Sequence, residues 1–127
     1  MEREKIVDSM MNDAVDICKA ILSGAYPDVM ISNELPANHP RKPYVMISQT
    51  GGDEVDFISQ PIMTLQCFDS TDDGARRLAQ GCAHMLAEAA LTHELMSSAK
   101  LINLMRDEYA PRGYGSYSAQ IHLTINE

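Results

Sequence analysis

The sequence predicts an α+β fold: two helices packed against a mixed, mostly antiparallel sheet of four to five strands, in the order α-β-β-β-α-β-β. Three observations lead there. Apolar residues recur at spacings of three and four in two separate stretches, one near the start of the chain and one in its middle. Short apolar runs bounded by turn-forming residues lie between and after those stretches. Residues 117–125 alternate strictly, with Tyr117, Ala119, Ile121, Leu123 and Ile125 on one side and Ser118, Gln120, His122 and Thr124 on the other. That is the period of a half-buried antiparallel strand.

The first helix is expected over residues 4–22. Ile6, Val7, Met10, Met11, Ala14, Ile17, Cys18 and Ile21 form its apolar stripe, with Glu2, Glu4, Asp8, Asp13 and Asp16 mostly opposite. Gly24 suits the left-handed residue after a helix, and Pro27, lacking an N–H, forbids resumption. Three strands follow at residues 29–31, 44–48 and 62–68. Residues 33–43 between the first two contain three prolines, which cannot donate to a ladder, and read as an exposed arm. Residues 50–60 open with Gly51-Gly52 and continue with Asp53, Glu54 and Asp56, a composition that reads as a long loop reaching past the sheet.

The second helix has a clear start. Ser70 is a suitable N-cap, Asp73 completes a capping-box-like S-x-x-D, and Asp72 with Asp73 complements the positive end of the helix dipole. Ala75, Leu78, Ala79, Cys82, Leu86, Ala89 and Ala90 make a stripe of mostly small residues suited to close packing on a sheet, and the helix should fade between residues 91 and 96. A strand at residues 100–106, a long hairpin loop at residues 107–116 and the alternating last strand complete the chain.

At 127 residues one domain, spanning 1–127, is expected, with enough chain to bury a core without disulfide staples. Ten Lys and Arg against 18 Asp and Glu give a net charge of −8, so the summed field repels phosphate and disfavours nucleic-acid binding through counterion release. Cys18, Cys67 and Cys82 are odd in number, widely spaced and set among apolar neighbours, which fits buried free thiols in a reducing compartment. The charged opening residues lack the apolar run of a secretion signal, and no apolar segment approaches the roughly 20 residues of a membrane span. Cytoplasmic residence with no membrane partner is the expectation.

Nothing in the pattern suggests chemistry. His39, His84, His93 and His122 fall in different elements without ligand spacing, so no metal is expected. No G-x-S-x-G elbow surrounds Ser9, Ser48 or Ser116, and the acids after Gly51-Gly52 oppose a phosphate, so neither catalysis nor a cofactor is expected. Most of the nine Met lie inside apolar periodicities and read as core. What stands out is three long, Pro-, Gly-, Tyr- and charge-rich connections on a small scaffold, material suited to contact.

The order of certain segments adds a resemblance. Asn33-Glu34-Leu35-Pro36 is followed by residues 41–52, RKPYVMISQTGG, and by residues 60–69, QPIMTLQCFD. Then come Ala75-Arg76-Arg77-Leu78-Ala79 and the closing strand Tyr117-Ser118-Ala119-Gln120-Ile121-His122-Leu123-Thr124-Ile125. This series resembles the tail-terminator (tail-completion) proteins of long-tailed bacteriophages and prophages, over most of the chain beyond the first helix. The T-G-G after a strand and the P-x-x-T-x-x-C-aromatic strand are its more specific parts. The chain departs from the family pattern in the acidic run after Gly52 and in a shorter last hairpin.

The resemblance implies the lambda-type tail-terminator fold. It also implies a structural, non-enzymatic function: a homo-oligomer, often a hexameric ring, that caps the tail tube, stops its polymerisation and offers the joining surface to head-completion (neck) proteins. Its partners would be the tail-tube protein and the neck proteins. DNA would pass through without specific binding, and the chain would sit in the host cytoplasm during assembly and then in the virion tail. A neighbouring neck protein, or more remotely a small ligand-binding domain, is the alternative. Candidate subunit or partner contacts are Pro36, His39, Arg41 and Lys42 in the proline arm and Tyr109, Arg112, Tyr114 and Tyr117 in the last hairpin. Asp53, Glu54 and Asp56 form a candidate acidic loop facing the lumen or the tube.

Overall fold

A computed structural model describes residues 2–33, 43–55, 58–108, 110 and 112–126, with side chains described for residues 14–33, 43–52, 60–108, 110 and 112–125. The chain runs α1 (Glu2–Ala25), β1 (Met30–Ser32), β2 (Tyr44–Val55), β3 (Ile58–Asp69), α2 (Asp72–Ala89), β4 (Met96–Arg106) and β5 (Gly115–Asn126). This is the expected α+β order, with two helices on a five-stranded mixed sheet. The sheet order is β1-β2-β3-β5-β4; β1 lies parallel to β2 and every other pair is antiparallel. Because β5 inserts between β3 and β4, α2 serves as the crossover and spans all three of those strands.

The core follows from side-chain period. In β2, Val45 and Ile47 are buried; opposite them in β3 stand Cys67 and Leu65, and opposite those in β5 stand Tyr117 and Ala119. Met63 and Ile121 continue the same face. Ala14, Cys18 and Leu22, four residues apart along α1, and Ala75, Ala79, Cys82 and Leu86 of α2 are buried at helical spacing, and all but Ala75 belong with those strands to one core cluster. Small residues at 75 and 79, as the stripe predicts, and also at 83 bring α2 close to the sheet. The opposite face carries the rows Ser48-Thr64-Gln120-Asn103 and Met46-Gln66-Ser118-Met105 across four strands, half-buried on β2, β3 and β5 and exposed at Asn103 and Met105 of β4. No described helix covers it.

Several boundaries differ from the sequence reading, each for a physical reason. The expected long loop at residues 50–60 is mostly strand: β2 continues to Val55 and β3 begins at Ile58. Cross-strand pairing overrides the low β propensity of Gly and Asp there. Thr50 is the extra residue of a bulge between the pairs Gln49–Met63 and Gly51–Ile62, and its hydroxyl lies 2.9 Å from Thr64 Oγ1. The N-cap of α2 is Thr71 rather than Ser70, its Oγ1 accepting from the Gly74 N–H at 3.0 Å. Ser70 instead donates its N–H to Asp69 Oδ1 at 2.7 Å, within the turn that leaves β3. α1 persists to Ala25, and Tyr26 N–H still bonds Leu22 C=O. Strand β4 begins at Met96, inside the segment where α2 was expected to fade, and β5 begins at Gly115.

Candidate functional site

Register divides the candidate contact residues between opposite ends of the sheet. Tyr44, Phe68, Ser116 and Arg106 mark one end, because Tyr44 pairs with Phe68, Phe68 with Ser116, and Arg106 with Tyr117. Val55, Ile58, Asn126 and Met96 mark the other, because Val55 pairs with Ile58, Ile58 with Asn126, and Met96 with Ile125. Strands of 12 residues at about 3.3 Å per residue separate these ends by nearly 40 Å. The hairpin around Arg112 and Tyr114 therefore lies at the first end, and the acidic segment at the second.

At the first end the chain is tied rather than open. Asp107 accepts from Ser118 Oγ through Oδ1, at 2.6 Å, and from Ser116 Oγ through Oδ2. Its own N–H bonds Ser116 C=O at 3.0 Å, and Ser116 N–H reaches Asp72 Oδ1 at 3.4 Å. Arg106 lies 3.6 Å from the other oxygen of Asp72. Asp72 in the first turn of α2 thus latches that helix to the β4–β5 hairpin, while Asp107 ties the two arms of the hairpin to each other. Ser116 is fully buried, so its hydroxyl depends on Asp107. Asp107→Ala is expected to destabilise by about 2 kcal/mol, the cost of an orphaned buried hydroxyl plus a second lost bond. Urea denaturation measures this, and Ser118→Ala should cost less because Ser118 is only half-buried.

The predicted contact residues there have different environments. Tyr114 meets Phe68 edge-on at 6.3 Å between ring centroids, and Phe68 stacks on the buried Tyr44 ring at 5.2 Å. These three rings form a small cluster next to the strand ends. Tyr117 packs half-buried against the core as part of β5, not in the loop, because its position in the strand's alternation faces the helices. Arg112 is exposed in the turn before Gly113, whose φ is +85°. Pro36, His39, Arg41, Lys42 and Tyr109 lie outside the described residues.

At the second end, Asp53 and Glu54 belong to β2, paired with Gln60 and Ser59, rather than to a loop. Asp56 lies outside the described residues. Leu91, 83% exposed, and Leu95, 43% exposed, lie in the α2–β4 connection that returns the chain to this end. His93 in that turn accepts the N–H groups of Leu95 and Met96 on Nδ1, at 3.1 and 3.2 Å. A turn stands here in place of the fading helix end that the sequence predicts.

The titratable groups have structural explanations. All three thiols are buried and free. Burial pushes Cys18 up to about 12, and a hydrogen bond with Cys82 on the facing helix, then burial, raises Cys67 well above the usual thiol value. Thiols held protonated in this way are poor nucleophiles. Among the described residues, no three His, Cys, Asp or Glu side chains are grouped to hold a metal ion. No described helix is long and apolar enough to cross a membrane.

On α2, a hydrogen bond from Arg76 at 2.5 Å and the charge of Arg77 at 3.0 Å hold the Asp73 carboxyl below its usual range. A carboxylate with a lowered folded pKa stabilises above its unfolded value of about 3.8, and that contribution vanishes as pH falls through the folded value. Asp73→Asn should therefore lower the melting temperature slightly near neutral pH. The difference from the unsubstituted chain should close as pH falls below the folded value, where both carry a neutral side chain.

No protein-family model matches this chain, and no curated protein matches it. The functional reading accordingly rests on the residues and on the fold that holds them.

Proposed function

We propose that this chain is a tail-terminator subunit of a long-tailed phage or prophage, a structural protein that assembles as a ring on the end of the tail tube, stops its growth and presents a surface to the neck proteins. The observation that most supports this is the fit of the resembling segments to successive elements. The T-G-G of Thr50, Gly51 and Gly52 falls at the β2 bulge, and the strand holding Pro61, Thr64, Cys67 and Phe68 is its direct partner. The Ala-, Leu- and Arg-containing segment falls in α2, and the closing alternating segment is β5, beside β3. Two contact regions at opposite ends of long strands suit a subunit that must meet a tube on one side and a neck on the other. A net charge of −8 suits a channel through which DNA slides without being held.

The test is tube length by electron microscopy when tail-tube protein polymerises with and without this chain. Tubes of limited length bearing a cap support the proposal. Unchanged elongation contradicts it, and binding to a head-completion protein without any effect on tubes assigns the chain to the neck instead. Neutralising Asp53, Glu54 and Asp56 together, to Asn, Gln and Asn, should leave the circular dichroism spectrum intact and alter ring assembly or DNA release. Unchanged assembly and release would mean that this acidic run is plain surface.

A further inference from the structure

The sheet ends in two long strand edges of opposite charge. β4 closes one side, and among the described residues β5 is its only strand neighbour. β2 is covered on its outer side by β1 only at residues 44–46, so among the described residues 47–55 have no strand neighbour there. At about 3.3 Å per residue these edges measure roughly 36 and 30 Å. Such edges expose unpaired backbone donors and acceptors, a template for another strand. β4 also exposes apolar side chains, Ile102 at 49% and Met105 at 55%.

Charge selects the strand that fits. β4 contains the exposed Lys100 and no acid, its other base Arg106 lying at the far end beside Asp72, whereas residues 47–55 contain Asp53 and Glu54 and no base. In a chain with 18 acids and 10 bases this segregation onto the two edges makes like edges repel and unlike edges attract. Strand direction agrees. β2 is antiparallel to β3, β3 to β5 and β5 to β4, so β4 runs opposite to β2. A second copy set beside the first with its strand directions preserved brings β4 antiparallel to the next β2.

We propose that neighbouring copies of this chain join head to tail, the β4 edge of one pairing antiparallel with the residue 47–55 edge of β2 in the next. This heterologous contact repeats around a ring or along a filament. It goes beyond the terminator reading, because edges and charges call for a second copy whatever the assembly caps.

Sedimentation velocity at about 100 µM, with circular dichroism as the folding control, tests it by charge reversal. The unsubstituted chain should self-associate. Lys100→Glu alone, and Asp53→Lys with Glu54→Lys, should each weaken association at least about tenfold. An equimolar mixture of the two variants should recover it, since every edge in the mixture again meets its opposite. If the double lysine variant misfolds, Asp53→Asn with Glu54→Gln should still weaken association.

A monomeric unsubstituted chain, unweakened association of Lys100→Glu, or failure of the mixture to recover would overturn the proposal. So would stronger association of Lys100→Glu with the unsubstituted chain alongside no effect at Asp53 and Glu54, which would indicate β4-to-β4 pairing. If the charge swap behaves as expected but tubes grow unchecked, the terminator reading fails and the edge pairing stands.

Discussion

Gly115→Ala is expected to be among the most damaging single-methyl changes in this protein. A Cβ at residue 115 would stand 2.1 Å from Thr71 C and 2.2 Å from both Asp72 N and Thr71 O. These are backbone atoms at the N-cap of α2, so no rotamer change relieves the clash. Either β5 leaves its first pairing with Asp69 or the helix start moves. Moving the start loosens the Thr71 cap on Gly74 N–H and the bond from Ser116 N–H to Asp72. Overpacking of this kind costs about 3 kcal/mol. In a chain of this size that lowers the melting temperature by roughly 10 °C. Thermal and urea unfolding measure it, and a loss below about 0.5 kcal/mol would show that the helix start and β5 are not rigidly apposed.

Gly52→Ala is the second large effect, and its form differs. Gly52 has φ +127°, a region that side-chain-bearing residues rarely adopt, and a Cβ there would lie 2.5 Å from Pro61 Cα and 2.6 Å from Gln60 O. Strain and clash together should cost about 2 kcal/mol. The site is next to the β2 bulge and near the free end of a hairpin, so part of the cost should appear as local opening. The expected result is faster amide exchange over residues 51–62 with little change over β5, together with weaker self-association through the β2 edge. Uniform destabilisation with unchanged association would contradict this placement of the edge.

The helices and the last strand were legible because their patterns repeat: α2 buries its small-residue stripe, and Ala119, Ile121, Leu123 and Ile125 are buried in alternation as the sequence implies. The β2–β3 extension was not legible. Gly51, Gly52 and Asp53 have turn composition, and only the long-range pairing of residues 51–55 with residues 58–62 makes them strand. The shift of the cap from Ser70 to Thr71 has a similar cause, since both residues can cap and the choice is made by Asp69 holding the Ser70 N–H. Among the candidate contact residues, sequence could find aromatic and charged side chains but not their surroundings. Tyr114 was engaged with Phe68, a ring 46 residues away, whereas the half-buried, helix-facing place of Tyr117 follows the alternation that the sequence shows. The bond from Ser116 N–H to Asp72 was invisible for the same reason, its partner in α2 lying 44 residues away.

A ring-forming subunit, the role proposed for this chain, must assemble either free in solution or on the tube. Native mass spectrometry of the full chain, alone and with tail-tube protein, tests it most directly. A six-subunit species, either free or formed on the tube protein, is the predicted result. A monomer under both conditions, at concentrations where the fold is intact, would contradict the account.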